Sequence, residues 1–405
     1  MAALKRYAVL IVGAGAAGIA VAASLRKRAP GLAIALIDPA QTHDYQPGWT
    51  LVGAGVFSAQ ATRKPMAGLI PPGVEWLAAR VAGIDPHAQA VTLEGAGPVG
   101  YDQLIVCPGL VLDWAGIEGL EATLGQHGVT SNYRYDLAPY TWQLTQQLRQ
   151  GHAVFTQPPM PIKCAGAPQK AMYLACDHWR GHGRLASIRA HFHSAAPALF
   201  GVAAYVPALM GYIERYQIGL HLQSTLVAVD GPGRVATFQQ ADGTRTAQPF
   251  DMLHVVPPQR PPAWVADSGL GDASGWLAVD PHHLRHTQHA NVHGLGDVIG
   301  CGNAKTAAAV RQQAPVVAHN VLHALGREAQ LARYNGYGAC PLTVERGKVV
   351  LAEFGYGGAL TPTLPTWLLE GRQPSRLAWW LKADVLRPLY WHGMLKGREW
   401  LLGRQ

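Results

Sequence analysis

The sequence predicts an α/β fold of two Rossmann-like dinucleotide-binding domains, and three observations carry that expectation. The strand-like run Tyr7–Val12 leads into Gly13-Ala14-Gly15-Ala16-Ala17-Gly18, and Asp38 closes a second strand-like run, Ala33–Ile37, twenty residues past Gly18. An apolar strand, Ala153-Val154-Phe155, precedes a loop in the middle third, where a second nucleotide-binding unit would carry its turn. Far downstream, Ala290–Leu295 reads as a short strand ending in Gly296-Asp297, with a helix start at Lys305-Thr306-Ala307. Residues 1–115 and 250–330 are expected to form one domain, with residues 116–249 inserted as the second. A C-terminal region follows over residues 331–405.

Composition fits this division. A chain of 405 residues with 49% hydrophobic and 14% charged residues can bury more than one core. Its formal charge of +8 suits an anionic surface or anionic substrate. No dense Lys/Arg run and no aromatic-basic repeat suggests nucleic acid. Five cysteines, an odd number in a long chain, do not make a secreted disulfide scaffold. Residues 7–25 are uncharged and flanked by Arg6 and Arg26, long enough for a signal sequence or a membrane span. The glycine turn inside that run argues for strand, turn and helix instead, so no cleavable signal peptide is expected.

Each part of the first unit has a physical reason. Gly13 permits the tight turn, Gly15 lets the backbone approach a pyrophosphate, and Gly18 lets helix and strand pack closely. Ala14, Ala16 and Ala17 keep the turn small, and the helix start offers free N–H groups to phosphate. Asp38 is placed to accept ribose hydroxyls. The Gly296-Asp297 strand end resembles a second FAD motif, with the Asp297 carboxylate set for ribityl hydroxyls. The helix start at Lys305-Thr306 favours negative charge on the reduced ring. Leu104-Ile105-Val106-Cys107-Pro108-Gly109 reads as the strand end that returns the chain to the flavin. FAD, held non-covalently, is therefore the expected cofactor. The middle third carries Ala165-Gly166-Ala167-Pro168 in place of a second glycine fingerprint. Proline stiffens that turn and removes an N–H donor, so the NAD site reads as repurposed.

Cys164 occupies that same loop, and Cys340 lies 176 residues on, in Tyr334-Asn335-Gly336-Tyr337-Gly338-Ala339-Cys340-Pro341-Leu342. If the fold brings them together beside a flavin, the pair can carry two electrons through a disulfide. Lys163, Lys170 and the following helix start favour a thiolate at Cys164. Cys107 and Cys176 read as buried small hydrophobes, while Cys301 lies close to the second motif without a matching role. His282, His283, His286 and His289 read as a solvated loop, and no metal is expected. His191 and His193 fit either a proton relay or an ordinary strand.

The residue pattern resembles sulfide:quinone oxidoreductase of the disulfide-reductase flavoprotein superfamily, in its type II branch, which includes the mitochondrial enzymes. The matching runs are Tyr45–Gly55, Pro161–Leu174, Met252–Pro258, Lys305–Val310, Tyr334–Leu342 and Leu351–Phe354. They span nearly the whole chain. The resemblance implies hydrogen sulfide as electron donor and ubiquinone or another membrane quinone as acceptor. A small sulfur acceptor such as a thiol or sulfite would take the product. It implies Pro47, Val81 and Gly109 as further flavin-side residues. It also implies a Cys164–Cys340 disulfide or trisulfide, with Cys164 acting on the flavin and Cys340 carrying persulfide. A type 2 NADH:quinone oxidoreductase is the alternative enzyme, disfavoured by the missing second glycine fingerprint. A membrane-attached flavin redox sensor is the non-enzymatic alternative.

The tail carries the membrane argument. Residues 361–405 hold Trp367, Trp379, Trp380, Trp391 and Trp400, with seven Lys/Arg against three Asp/Glu. Leu377, Trp380, Leu381 and Asp384-Val385 fall at roughly helical spacing, with Arg376, Lys382 and Arg387 at the margins. Aromatic groups beside cations suit a lipid headgroup boundary. A peripheral, monotopic attachment to membrane lipid is expected, on the bacterial inner membrane if the source is prokaryotic. Phe354, Leu364, Pro365, Tyr390 and Trp391 are the candidate quinone-pocket residues. Removing the residues after about Pro374 is expected to leave the flavin and cysteine chemistry intact.

Overall fold

The computed structural model describes residues 4–399. Its first sheet holds β1 (Arg6–Val12), β2 (Ile34–Ile37), β3 (Val74–Leu77), β4 (Val81–Asp85), β5 (Ala90–Leu93) and β6 (Gly97–Val106), in the order β3-β2-β1-β6-β5-β4. The β3-β2-β1-β6 part is parallel, and β4, β5 and β6 form an antiparallel meander. Strands β1 and β2 are almost wholly apolar because helices and loops cover both faces of a parallel sheet. Helix α1 (Ala16–Arg28) presents a run of small residues, with Ala17 through Leu25 buried. The uncharged run of residues 7–25 is thus a strand, a turn and a short helix. Among the described residues no helix is long and apolar enough to cross a membrane.

The second sheet is parallel. It holds β7 (Val129–Thr130), β8 (Gly151–Gln157), β9 (Ile188–Ser194), β10 (Gly219–Leu222) and β11 (Met252–His254), in the order β7-β11-β8-β9-β10. Helix α2 (Ala167–Gly181) follows β8, with Pro168 in its first turn, where a missing N–H costs nothing. An antiparallel sheet of Ser224–Asp230, Val235–Gln240 and Arg245–Pro249 adjoins it. The return to the first domain was expected at about residue 250. Since β11 pairs with both β7 and β8, the chain leaves the second sheet only after His254. It then re-enters the first sheet through β12 (Val292–Gly294), which lies parallel to β6. Helix α3 (Ala307–Ala324) packs into the same core as α1.

The C-terminal stretch is shared between the two cores. Strands β13 (Gly338–Glu345) and β14 (Lys348–Phe354) form an antiparallel hairpin. Cys340, Leu342, Val344, Val350 and Ala352 of that hairpin are buried with Phe155 and Met172 of the second domain. Residues 376–396 then form one helical run with wide turns at Leu381–Val385 and Leu389–Gly393. Tyr390, Trp391, Met394 and Leu395 of this run are buried in the first core.

This corrects the expectation that the tail is an interfacial helix separable from the rest. Beyond it, Gly397 (φ +61°) lies against α1, where a Cβ would stand 2.8 Å from the Ala23 carbonyl carbon. Glu399 accepts from Ser24 Oγ and from Arg28 Nη2, each at 2.8 Å. Lys382, expected at the lipid margin, is 2% exposed and donates to the Pro47 carbonyl at 2.9 Å. Burying each large apolar side chain contributes about 1.5–3 kcal/mol, so a cut after Pro374 opens the first core. Among the described residues after Phe354, the large apolar groups left in solvent are Leu360, Trp367, Leu368 and Trp380, with Trp367 84% exposed. Trp400 lies outside the described residues.

Candidate active site

The glycine turn is shaped by two contacts and one opening. Gly13 has φ +103°, and a Cβ there would stand 2.4 Å from the Cys107 carbonyl oxygen. A Cβ at Gly18 would stand 1.8 Å from the Gly13 carbonyl oxygen, so α1 and the turn touch only because both residues are glycine. Gly15 and Gly109 instead face open space, with no atom within 4 Å of a Cβ position. An extended anionic group fits there, against the N-terminal amides of α1, whose first turn has no acidic residue. Asp38 fixes the turn from β2: its carboxylate accepts Ala14 N–H at 2.7 Å and Ala40 N–H at 2.8 Å. Val81 starts β4 and is buried in the first core, and Pro47 lies in the short turn Gln46–Gly48.

The second motif faces the same region. Gly296 takes φ +81°, and its N–H donates to Gln313 Oε1 of α3 at 2.8 Å. Burial raises the Asp297 carboxyl, and Lys305 and Lys163 pull it back. Lys305 Nζ donates to the Asp297 and Ile299 carbonyls at 2.7 and 2.9 Å, and burial brings it down to about 8. Thr306 caps α3 by accepting Ala309 N–H at 3.2 Å. Two glycines open to space, a buried carboxylate and a capped helix start together fit a flavin dinucleotide.

Cys164 and Cys340 come together with their sulfurs 3.7 Å apart, both as free thiols. Cys164 sits in the left-handed region, φ +50°, which a side chain with Cβ adopts only when the surroundings hold it. Here its N–H donates to the Lys305 carbonyl at 2.8 Å, and its carbonyl accepts Ala167 N–H at 2.7 Å. The Tyr133 hydroxyl donates to the Lys163 and Cys164 carbonyls at 3.0 and 3.3 Å. The Lys305 contact ties the cysteine loop to the second dinucleotide motif. Gly166 leaves room for the pair, since a Cβ there would stand 2.6 Å from Cys340 Sγ and 2.2 Å from Leu342 Cδ2.

Charge divides the two sulfurs. Lys170 Nζ donates to Cys164 Sγ at 3.2 Å. The Cys340 thiol as hydrogen-bond donor, then Lys170 and Lys382, hold Cys164 well below the usual thiol range despite burial. Cys340 is pushed well above it, because its S–H donates a hydrogen bond to the neighbouring sulfur and because it is buried. Of the two sulfurs, Cys164 is therefore the one that favours the thiolate. For Lys170 the pull of burial is outweighed by the cysteines, and its pKa is raised. Burial and the Lys170 charge bring Lys382 down to about 7. Lys163 Nζ donates to Gln46 Oε1 at 2.8 Å.

Several of these residues carried no readable signal. A lysine in an amphipathic tail looks interfacial, and only the tertiary path of residues 376–396 brings Lys382 to the cysteines. Tyr133, Gly166 and Gln46 are meaningful only through partners distant in sequence. The quinone candidates are spread over three places. Phe354 packs edge-on against Phe200, and Leu364 against the cluster of Val349, Leu369 and Ala378, while Pro365 is exposed. Tyr390 and Trp391 meet each other, His43 and Tyr45, and the Tyr390 hydroxyl lies 2.6 Å from His43 Nε2.

The remaining singled-out residues fall elsewhere. Cys107 and Cys176 are buried, and burial raises both thiols. Cys301 Sγ lies 3.6 Å from the Tyr356 hydroxyl, and burial raises its thiol. His191 lies within hydrogen-bond reach of His152 and His221, and His193 stacks on Phe238 and contacts Ser224. Burial brings these two down to about 4 and about 3, so both are neutral. His282 contacts the Tyr334 carbonyl, His283 Asp280 and His286 the Leu270 carbonyl, and the His289 ring packs against His286.

Comparison with known proteins agrees with this geometry. The model of the pyridine nucleotide-disulphide oxidoreductase family matches residues 7–142. The mitochondrial sulfide:quinone oxidoreductase of Dictyostelium discoideum is 37% identical over 394 residues, which are 96% of this chain and 86% of that protein. The mitochondrial sulfide:quinone oxidoreductase of Mus musculus is 34% identical over 97% of this chain and 87% of its own. The crystal structure of the sulfide:quinone oxidoreductase of Aquifex aeolicus superposes with a TM-score of 0.82 at 19% identity, covering 98% of this chain and 92% of that one. With a third of its residues shared over almost its full length, the chain belongs to the sulfide:quinone oxidoreductase family.

Proposed function

We propose that this protein oxidises hydrogen sulfide to sulfane sulfur and passes two electrons to a membrane quinone, and the observation that carries the reading is the Cys164–Cys340 pair, 3.7 Å apart beside Lys170. The oxidised pair is a disulfide, or a trisulfide with one bridging sulfur. Hydrosulfide attacks Cys340 Sγ, the bond to Cys164 breaks, and Cys340 keeps the new sulfur as a persulfide. The leaving group is the Cys164 thiolate, the sulfur that Lys170 holds anionic. A thiol, sulfite or similar acceptor then takes the outer sulfur from Cys340. Non-covalent FAD supplies the two-electron carrier that links the sulfur pair to the quinone. Gly13, Gly15, Gly18 and Gly109 would hold its dinucleotide, with Asp297, Lys305 and Thr306 at the ribityl and ring end.

A direct test separates this reading from the alternatives. Under anaerobic conditions sulfide should bleach the flavin absorbance and a soluble quinone should restore it, while NADH should do neither. Bleaching by NADH would favour a type 2 NADH:quinone oxidoreductase. Cysteine chemistry without quinone turnover would favour a redox sensor. The loop after β8 supports the sulfide reading, since Cys164, Gly166 and the Cys340 sulfur fill the place a second nucleotide turn would take. Asp297→Ala should weaken FAD retention by about 1.5–3 kcal/mol, the worth of a charge-assisted hydrogen bond, measured as FAD released on dilution. Unchanged retention overturns the role of Asp297.

The quinone pocket is proposed to involve Phe354, Leu364, Pro365, Tyr390 and Trp391, and the exposed residues between Phe354 and Trp380 support a membrane face there. Leu360, Trp367, Leu368 and Trp380 stand exposed there, an arrangement that suits a monotopic attachment at the headgroup level. Phe354, Leu364 and Pro365 belong to this segment, while Tyr390 and Trp391 lie in the first core against His43 and Tyr45. Basic residues near an anionic leaflet add about 1 kcal/mol each, and salt screens that part. Detergent should therefore release the protein well and high salt poorly. The double variant Trp367→Ser, Trp380→Ser should lose binding to anionic lipid vesicles in a sedimentation assay while sulfide still bleaches the flavin. Full vesicle binding by that variant would move the membrane face elsewhere.

A further inference from the structure

We propose that Lys163 tunes the bound flavin, its ammonium holding the negative charge that reaches the ring with the electrons; the inference rests on the FAD reading above. The main chain of Lys163 is clamped from two sides. Its N–H donates to Gln259 Oε1 at 2.9 Å, and its carbonyl accepts the Tyr133 hydroxyl at 3.0 Å. The side chain is partly buried, and its Nζ donates to Gln46 Oε1 at 2.8 Å. The ring centroids of Tyr133 and Trp49 lie 5.8 and 6.0 Å from that nitrogen. An ammonium carries three donors, so the bond to Gln46 leaves two of them for a ligand.

Charge locates that ammonium. Burial lowers the Lys163 pKa, and Asp297 and then Cys164 oppose the fall. The ordinary lysine value of about 10.4 lies far above neutral, so the group keeps its proton there. Lys163 in turn pulls the Asp297 carboxyl down. Lys170 and Lys382 act with both sulfurs, whereas Lys163 acts with Cys164 and Asp297. It therefore belongs to the stretch between the cysteine loop and the second dinucleotide motif, which the Cys164 N–H joins through the Lys305 carbonyl. The other three lysines near the site are committed. Lys305 Nζ is held by two carbonyls and lies 4.2 Å from the Trp276 ring centroid. Lys170 Nζ is bound to Cys164 Sγ, and Lys382 Nζ to the Pro47 carbonyl. All three are buried, and of the four only Lys163 keeps open surface.

The reaction needs such a charge. Two electrons from sulfide and one proton from water leave a flavin ring with one negative charge. A fixed cation beside the ring favours that state and so raises the reduction potential. The cation is placed in advance, because main-chain bonds to Gln259 and Tyr133 hold the residue whether or not the ring is charged. When the electrons pass to the quinone, the ring returns to neutral, and no bond to Lys163 forms or breaks. The lysines thus divide the work: Lys170 serves the sulfur and Lys163 the flavin.

The test measures the flavin midpoint potential of the full-length holoenzyme by anaerobic reductive titration against a reference dye, a readout that needs neither sulfide nor quinone. Lys163→Met should retain FAD and the oxidised flavin spectrum. Its reduction equilibrium should fall about ten- to a hundredfold, which is about 30–60 mV for a two-electron couple. Lys163→Arg should stay near wild type, because arginine keeps the charge. The same fall should appear when Lys163→Met is combined with Cys164→Ser, where no thiolate is left to carry the effect. An unchanged potential in Lys163→Met overturns the proposal. So does an equal fall in Lys163→Arg, which would mark a merely structural role. A fall that vanishes in the Cys164→Ser background also overturns it, since the charge would then act on the sulfur alone. If Lys163→Met loses FAD, Lys163→Gln carries the same comparison, because its amide can still donate to Gln46. Wild-type protein that purifies without FAD would instead sink the cofactor reading beneath the proposal.

Discussion

Replacing Cys164 or Cys340 with serine is expected to abolish sulfide-dependent quinone reduction while FAD stays bound. Either change leaves one sulfur, and a single thiol has no bond for hydrosulfide to cleave and cannot re-form the bridge. FAD should remain because the open glycines and the Asp297–Thr306 segment do not depend on either sulfur. Cys107→Ser and Cys176→Ser should keep most activity, since neither residue touches the pair. Their cost should appear in stability, about 1–3 kcal/mol for a hydroxyl placed in an apolar site. It should be smaller at Cys107, whose sulfur already donates to the Gly13 carbonyl at 3.6 Å. Activity is read as sulfide-dependent quinone reduction and FAD content from absorbance. Robust turnover in either variant of the pair would sink the two-sulfur mechanism.

The parts of this site that were legible in the sequence are local. A strand, a tight turn and a helix start are fixed by neighbours within a dozen residues, so Gly13, Gly15 and Gly18 declare their geometry wherever the rest of the chain goes. The Cys164 loop is legible for the same reason, because it follows β8 and opens α2. What the sequence withheld are contacts between distant segments. Gly166 looks like a loop glycine until Cys340 and Leu342 arrive against it from 174 and 176 residues away. His43 looks like a surface residue until Tyr390 closes on it.

The tail shows why pattern alone misleads. Tryptophans and cations at helical spacing describe a membrane surface helix and a helix folded onto a protein core equally well. The structure divides them: Trp367 and Trp380 face out, while Trp391 and Lys382 face in. Of the charges that seemed suited to lipid headgroups, Lys382 lies inside the site, while Arg376 stays exposed. The division also changes what truncation can report, because a cut after Pro374 removes Lys382 from the cysteines along with the apolar groups that close the first core.

Lys170→Met should slow sulfide-dependent flavin bleaching at neutral pH by roughly 10- to 1,000-fold and move the activity to higher pH. The methionine keeps most of the volume of the buried side chain and removes only the charge 3.2 Å from Cys164 Sγ. An opposite charge at that range typically lowers a pKa by about 1–3 units, and the Cys340 thiol, the largest influence, stays in place. Because the folded protein holds Cys164 low, its thiolate exists across neutral pH and is lost only as pH falls through that depressed value. Without Lys170 that value rises, so the loss of thiolate begins at higher pH and the acid limb of the rate profile shifts upward. Alkylation of the reduced enzyme by iodoacetamide reports the same titration without the flavin and should shift by the same amount. The rate should recover as pH is raised, which separates a missing charge from a damaged fold. An unchanged acid limb in both measurements would mean that Lys170 does not hold the thiolate, leaving that task to Cys340 and Lys382.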